Sequence, residues 1–257
     1  MRRLTGVVLV VAVSATLLAV AAPRASAAPS WQSRIAKAAA FARSRKGIVY
    51  FALTDESGRL RGWCPRRAAP SASVLKAMLL VAYLNRSTVR GRALTSYDRS
   101  LLAPMIRWSS NSAANRVIGI VGSRAVYRVA HRARMRRFVL HLPVWGLSEI
   151  TSGDQARFFR RIDSFVPKRH RAYAMHLLAT VIPSQRWGIA PARPKHWKIY
   201  FKGGWGSGTG RVTHQVALLV KGTTRITIAV LTQFNPNQLY GERTIRGVAT
   251  RLLKGVT

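Results

Sequence analysis

The chain has 257 residues, 48% of them hydrophobic and seven of them Trp, which excludes a disordered chain and allows one or two domains with a sizeable core. Against seven Asp and Glu stand 43 Lys and Arg, a formal net charge of +36 that must attract polyanions: wall polymers, anionic lipid headgroups or nucleic acid. One cysteine excludes an internal disulfide, and six scattered histidines show no zinc-ligand spacing, so no metal or other cofactor is expected.

Arg2 and Arg3 precede an apolar run over residues 6–22, and "PRASA" closes with the small-x-small sequence Ala25-Ser26-Ala27. That is the pattern of a secretory signal peptide over residues 1–27, cleaved near Ala27, with a retained membrane anchor as the alternative. Export would place residues 28–257 outside the cell or at its envelope. Removing Arg2, Arg3 and Arg24 leaves +33.

Helical spacing of apolar residues predicts a first helix over 31–45. "GIVYFAL" (47–53) and "RLRGWC" (59–64) read as strands joined by the turn "TDESG", a hairpin. Cys64 at its end is expected to be a buried small apolar residue rather than a reactive thiol. Residues 65–70 break the pattern and lead into "PSASVLKAMLLVAYL" (70–84), an apolar helix with Ser73 and Lys76 one turn apart at its head. Residues 95–165 are helical, with interruptions at "RWSSNS" and around "HLPVWGLSE". Within them "RVAHRARMRR" (128–137) is the densest basic stretch, either a solvated helix face or a contact for a polyanion. No nucleic-acid motif or aromatic-interleaved basic run is present, so no specific nucleic acid is expected.

The C-terminal third changes character. Three β-branched runs (196–204, 213–222 and 224–234), separated by glycine-rich turns, predict an antiparallel meander, and a last helix fits 241–255. The order of elements predicts an α+β fold: one five-stranded antiparallel sheet flanked by helices, with an inserted all-helical subdomain over roughly 70–190, in a single domain spanning 28–257.

With 20 Ser and 9 Lys in the chain, one Ser-x-x-Lys pair is close to what chance supplies. Ser71 or Ser73 could cap a helix, with Lys76 reaching along its surface to solvent. Ser109 or Ser110 in "RWSSNSAAN" could likewise cap the next helix, and Lys202 could be one cation among many. The alternative is chemical. A serine hydroxyl is a poor nucleophile until a neighbour takes its proton, and residue i+3 on a helix lies on the same face. A lysine held in a buried, cationic pocket has a lowered pKa and can act as that base.

Three motifs follow one another: Ser73-x-x-Lys76, Ser109-x-Asn111 and Lys202-Gly203-Gly204. Their order and placement resemble the signature of penicillin-binding proteins and class A β-lactamases. The hairpin, meander and closing helix are similar to that superfamily's topology, and the resemblance covers roughly residues 31–257. "IPSQRWGI" and "KGGW" resemble secreted actinobacterial serine hydrolases within it. The resemblance implies Ser73 as nucleophile, Lys76 as its base, and Ser109 as the proton carrier to the leaving nitrogen. Lys202 would hold a substrate carboxylate and lower the pKa of Lys76 by its charge. Asn111, Gly204 and Trp205 would bind substrate, with the backbone N–H groups of Ser73 and Trp205 as oxyanion donors. A β-lactam or a peptidoglycan-like D-Ala-D-Ala amide would be the substrate, and the protein a monomer. A degenerate relative docking on anionic cell-wall polymer or lipid through its basic surface is the alternative.

The pattern departs from that superfamily in three places. The glutamate-x-x-leucine-asparagine segment of class A enzymes is missing, and Glu149 is the one carboxylate in the right region to activate water for deacylation. Asp154 falls in a predicted helix start, where Ser152-x-x-Gln155 reads as a capping box. Ser110 replaces the usual aspartate, and Gly203 a usual threonine or serine whose hydroxyl helps bind a carboxylate.

Overall fold

The structure, a computed structural model, describes residues 29–257 together with Gly6; the expected signal peptide and its cleavage site near Ala27 lie outside the described residues. Helix α1 (Trp31–Arg43) begins where the Ser30 hydroxyl accepts from the Ser33 N–H at 3.2 Å. Strands β1 (Ile48–Thr54) and β2 (Leu60–Trp63) form the predicted hairpin. Its turn is fixed by Asp55, which accepts from Ser57 Oγ, the Arg59 N–H and Arg61 Nε. A three-residue strand β3 (Ala68–Pro70) follows, then a 3-10 turn Ala72–Leu75 that runs into α2 (Lys76–Leu84).

The helical block continues with α3 (Ser87–Arg90), α4 (Ser96–Arg107) and α5 (Asn111–Arg132), then strand β4 (Glu149–Thr151), α6 (Ser152–Arg160) and α7 (Arg171–Ala179). The short α8 (Ile189–Ala192) leads to β5 (Lys198–Gly206), β6 (Val212–Lys221), β7 (Thr224–Gln233) and α9 (Gln238–Leu253). The sheet is five-stranded and antiparallel throughout, in the order β2-β1-β7-β6-β5, so the chain's two ends meet at the β1–β7 pair.

Both faces of the sheet are covered, which is why β6 and β7 read as nearly continuous apolar runs. Alternate residues serve opposite cores: Ala217, Leu219, Ile226, Ile228 and Val230 pack with α1 and α9. Val216, Leu218, Ala229 and Leu231 pack with the helical block. Inside that block every residue of α2 is buried, Lys76 included. A helix apolar on all sides is enclosed by its neighbours and has no solvent face.

Three local expectations change. Thr151, not Ser152, caps α6, its hydroxyl accepting from the Asp154 N–H at 3.1 Å, while Ser152 and Gln155 are buried. Asn237 caps α9 and starts it three residues before the predicted 241. Cys64 is half-buried with a positive φ of 48°, at the point where the chain leaves β2. The β3–β4 pair is too short for a two-residue period to reveal it in sequence.

Asp98 ties α2 to α4. It accepts from Tyr83 Oη at 2.7 Å, from Arg92 at 2.6 Å, and from the Thr95 N–H and hydroxyl, closing a capping box at the start of α4. Burial alone would raise this carboxyl, but those hydrogen bonds outweigh it and hold it well below the usual carboxylate range. A depressed folded-state pKa gives stability that is present above about pH 3.9, the unfolded value, and lost as pH falls through the folded one. Asp98→Asn is expected to cost about 3 kcal/mol in urea unfolding at pH 7. The cost should shrink below about pH 4; an equal cost at pH 7 and pH 3 would contradict it.

Candidate active site

The 3-10 turn carrying Ser73 lies between the edge strand β5 and the start of α5. Ala72 just before it has φ 41°, and Ser109 has φ 60°, both left-handed conformations that cost a non-glycine residue about 1–3 kcal/mol. β5 presses closely on the turn: a Cβ at Gly204 would lie 2.8 Å from Ser73 N and 2.9 Å from Val74 N. Only glycine permits that approach.

From below, His214 on β6 fixes the same segment. It stands opposite Gly204 in the β5–β6 register and is buried. Its Nδ1 accepts from the Thr232 N–H at 3.0 Å, so the ring proton is on Nε2, which donates to the Pro70 carbonyl at 2.8 Å. Burial pushes this imidazole down to about 4, against the opposing effect of its hydrogen bonds with the backbone at Pro70 and Thr213. A neutral histidine thus pins the strand entering Ser73 to β6 and, through Thr232, to β7.

Lys76, enclosed at the head of α2, cannot reach solvent. Its Nζ donates to the Ser109 carbonyl at 2.5 Å and to Asn111 Oδ1 at 2.7 Å, and lies 3.2 Å from Ser109 Oγ. Lys202 Nζ is 3.0 Å from the same hydroxyl and donates to the Gly203 carbonyl at 2.7 Å. Two buried lysine side chains therefore converge on one serine oxygen, which has one proton and two lone pairs to offer them. Ser73 Oγ, 3 residues from Lys76 on the same turn, has no hydrogen-bond partner among the described residues.

Burial lowers Lys76 to about 7. Burial, and then the charge of Lys76, push Lys202 well below its ordinary value too. Enclosure of α2 supplies the burial expected to depress Lys76, and Lys202, the expected second positive charge, meets it on the same hydroxyl. Ser110 caps α5, its hydroxyl accepting from the Ala113 N–H at 3.2 Å, which leaves Ser109 free to face the lysines. The loop lacks the usual aspartate but is tied down elsewhere, Ser110 N–H to the Pro104 carbonyl and Gln185 Nε2 to the Trp108 carbonyl. At Gly203, the side where a hydroxyl was missed is filled by the Trp187 ring, 3.3 Å from where a Cβ would stand. Trp187 in turn meets Trp205 edge to face, with centroids 5.9 Å apart.

The open side of the site is a cleft of about 390 Å³ lined by Ser73, Asn111, Asn115, Pro143, Val144, Trp145 and Trp205, among others. Trp145 stands with its ring centroid 5.1 Å from Lys76 Nζ. Its indole N–H donates to Asn115 Oδ1 at 2.7 Å, and its carbonyl accepts from Ser71 Oγ. Sequence reasoning missed Trp145, Asn115 and His214; the only trace of the first was an aromatic residue in a stretch that breaks the helical pattern.

All seven carboxylates of the chain fall among the described residues, and none hydrogen-bonds to Ser73, Lys76, Ser109 or Lys202. Asp55 and Glu56 hold the hairpin turn and Trp31, Asp98 holds Arg92, Asp154 holds Arg157, Asp163 holds Arg225, and Glu242 holds Gln238. Glu149 is half-exposed on β4, 3.9 Å from His141 Nε2, and does not line the cleft. Among the described residues no three His, Cys, Asp or Glu are grouped to hold a metal ion.

A family model described as the Beta-lactamase enzyme family matches residues 98–256. Among solved structures, a beta-lactamase from Sphaerobacter thermophilus is similar at 19% identity, covering 88% of this chain and 97% of that one with a TM-score of 0.73. One from Xanthomonas campestris pv. campestris is similar at 16% identity over 86% and 97% of the two chains, TM-score 0.75. A third, from Desulfarculus baarsii, is 19% identical over 89% and 100%, TM-score 0.72. At these identities the likeness is one of fold. No curated protein matches the chain in sequence.

A lysine depressed in the folded state binds fewer protons than in the unfolded chain between about pH 7 and pH 10.4, so its burial destabilises most at and below pH 7. Lys76→Met is expected to gain stability relative to the parent protein at pH 7, with the gain falling as pH rises to about 10. Urea unfolding across that range checks it, and a pH-independent difference would contradict a depressed Lys76.

Proposed function

The chain belongs to the beta-lactamase enzyme family, and from that premise we propose that it is an exported serine acyl-hydrolase that forms an acyl-enzyme at Ser73 with β-lactam or D-Ala-D-Ala-like amides. The observation that carries this reading is the meeting of buried Lys76 and Lys202 on Ser109 Oγ beside Ser73, with no carboxylate among them. Such a centre favours binding an anionic substrate and holding neutral amine near pH 7.

In the proposed step, neutral Lys76 takes the Ser73 proton as Oγ bonds to the substrate carbonyl carbon. The carbonyl oxygen becomes an oxyanion held by the backbone N–H groups of Ser73 and Trp205, drawn together by the Gly204 contact. Collapse breaks the C–N bond, and Ser109 passes its proton to the departing nitrogen while being reprotonated from Lys76. A substrate carboxylate beside Lys202 restores that lysine's charge and neutralises it. Asn111 keeps its amide N–H groups for the substrate, since Lys76 occupies its oxygen.

Deacylation is the weak half. Glu149 lies away from the cleft, so Lys76 is the group left to activate water, and Trp145 occupies space over it. The ester is therefore long-lived, closer to a penicillin-binding protein than to a rapid β-lactamase.

Intact-mass spectrometry after incubation with penicillin is expected to show a one-to-one adduct that Ser73→Ala abolishes; no adduct with any lactam or acyl-peptide ester would overturn the reading. The acylation rate should rise with pH and level off above about 7, as Lys76 loses its proton. Gly204→Ala should slow acylation by about 100-fold while the far-UV circular dichroism is retained. Glu149→Gln should leave the adduct lifetime unchanged, and a markedly longer lifetime would assign Glu149 the deacylating role.

A further inference from the structure

A second concavity lies behind the β3–β4 pair, where the β2–β3 connection, the segment after α5 and the start of α6 come together. It has a volume of about 490 Å³ and is lined by Arg66, Arg136, Arg137, Arg157, Thr151 and Asp154, with apolar Leu60 and Pro65 completing the wall. It shares no lining residue with the cleft at Ser73.

Asp154 is the pocket's one carboxylate, and its oxygens are already engaged. It accepts from Arg157 at 2.6 Å and from the backbone N–H groups of Arg136 and Arg137 at 3.2 Å each. Those contacts shape the wall and neutralise Arg157. The guanidinium groups of Arg66, Arg136 and Arg137 remain with no carboxylate or hydrogen-bond acceptor among the described residues. Unpaired arginines are common in a chain with 43 cations and seven carboxylates. Three that line one hollow are a different matter, because each guanidinium is a planar fork suited to a bidentate oxyanion.

We infer that this pocket binds a phosphate-type oxyanion carrying at least two negative charges, either a pyrophosphate or two neighbouring phosphodiester groups. Multiple positive charges facing one hollow select a multiply charged anion over a lone carboxylate. The lining contains no aromatic ring on which a base could stack, which argues for phosphate without a nucleobase. The site gives part of the chain's basic surface a defined address, and it stands independently of any chemistry at Ser73.

Isothermal titration of the purified protein at low salt, with inorganic pyrophosphate and separately with bis(glycerophospho)glycerol, a diester with two singly charged phosphates, tests this. Expected is saturable one-to-one binding of at least one probe, weakened about tenfold or more in Arg136→Ala/Arg137→Ala. These side chains are exposed and Asp154 is held by their backbone, so the fold should survive; unchanged near-UV circular dichroism checks that. The charge-matched Arg243→Ala/Arg246→Ala on α9, and Ser73→Ala, should bind as the parent protein does. Tighter binding of pyrophosphate points to a free phosphate, and of the diester to a polymer or headgroup phosphate. Absence of saturable binding by both probes, or equal weakening in the two double variants, would overturn the proposal.

Discussion

Enclosure of α2 is the constraint from which the chemistry of this protein follows. A helix with no solvent face carries a lysine at its head, so the ammonium cannot extend to water as a surface lysine would. It is left to three acceptors on the α5 side, two of them from Ser109. Lys202, buried on the edge strand, arrives at the same hydroxyl from the opposite side. Two buried lysines that lack a counter-ion hold their protons weakly, and their charged forms destabilise the folded chain. Such a centre is useful when an anionic substrate supplies the missing charge and one lysine is needed without its proton.

The sheet and the helical block are held in register around that centre by contacts far apart in sequence. His214 joins the sheet to Pro70, while Gly204 lets the edge strand close on Ser73. Trp145, held by Asn115 and Ser71, walls the cleft beside Lys76. In the proposed reaction these contacts place the groups for forming an ester. None of them brings in a carboxylate, the asymmetry on which the proposed slow deacylation rests.

Much of the fold is legible in the sequence because it is periodic. The β-branched runs of β5, β6 and β7 and the apolar α2 announce themselves, and Ser73, Lys76, Ser109, Asn111 and Lys202 stand in recognisable spacings. Non-local effects are not legible. The His214–Pro70 hydrogen bond spans 144 residues, and the three-residue strands β3 and β4 have no period to read. The cap of α6 moves from Ser152 to Thr151 because the turn geometry, not residue preference alone, selects it. The depth of the Lys76 burial was also hidden, since a sequence shows a lysine at the head of an apolar helix but not that the helix is enclosed on every side.

The central claim is that enclosure makes Lys76 a base near neutral pH. Titration of the lysine side chains by carbon-detected NMR, with Lys76→Arg assigning the resonance, measures it directly. The enclosed site predicts a midpoint at about 7 for Lys76. A midpoint at about 10.4, the value of a solvated lysine, would contradict it.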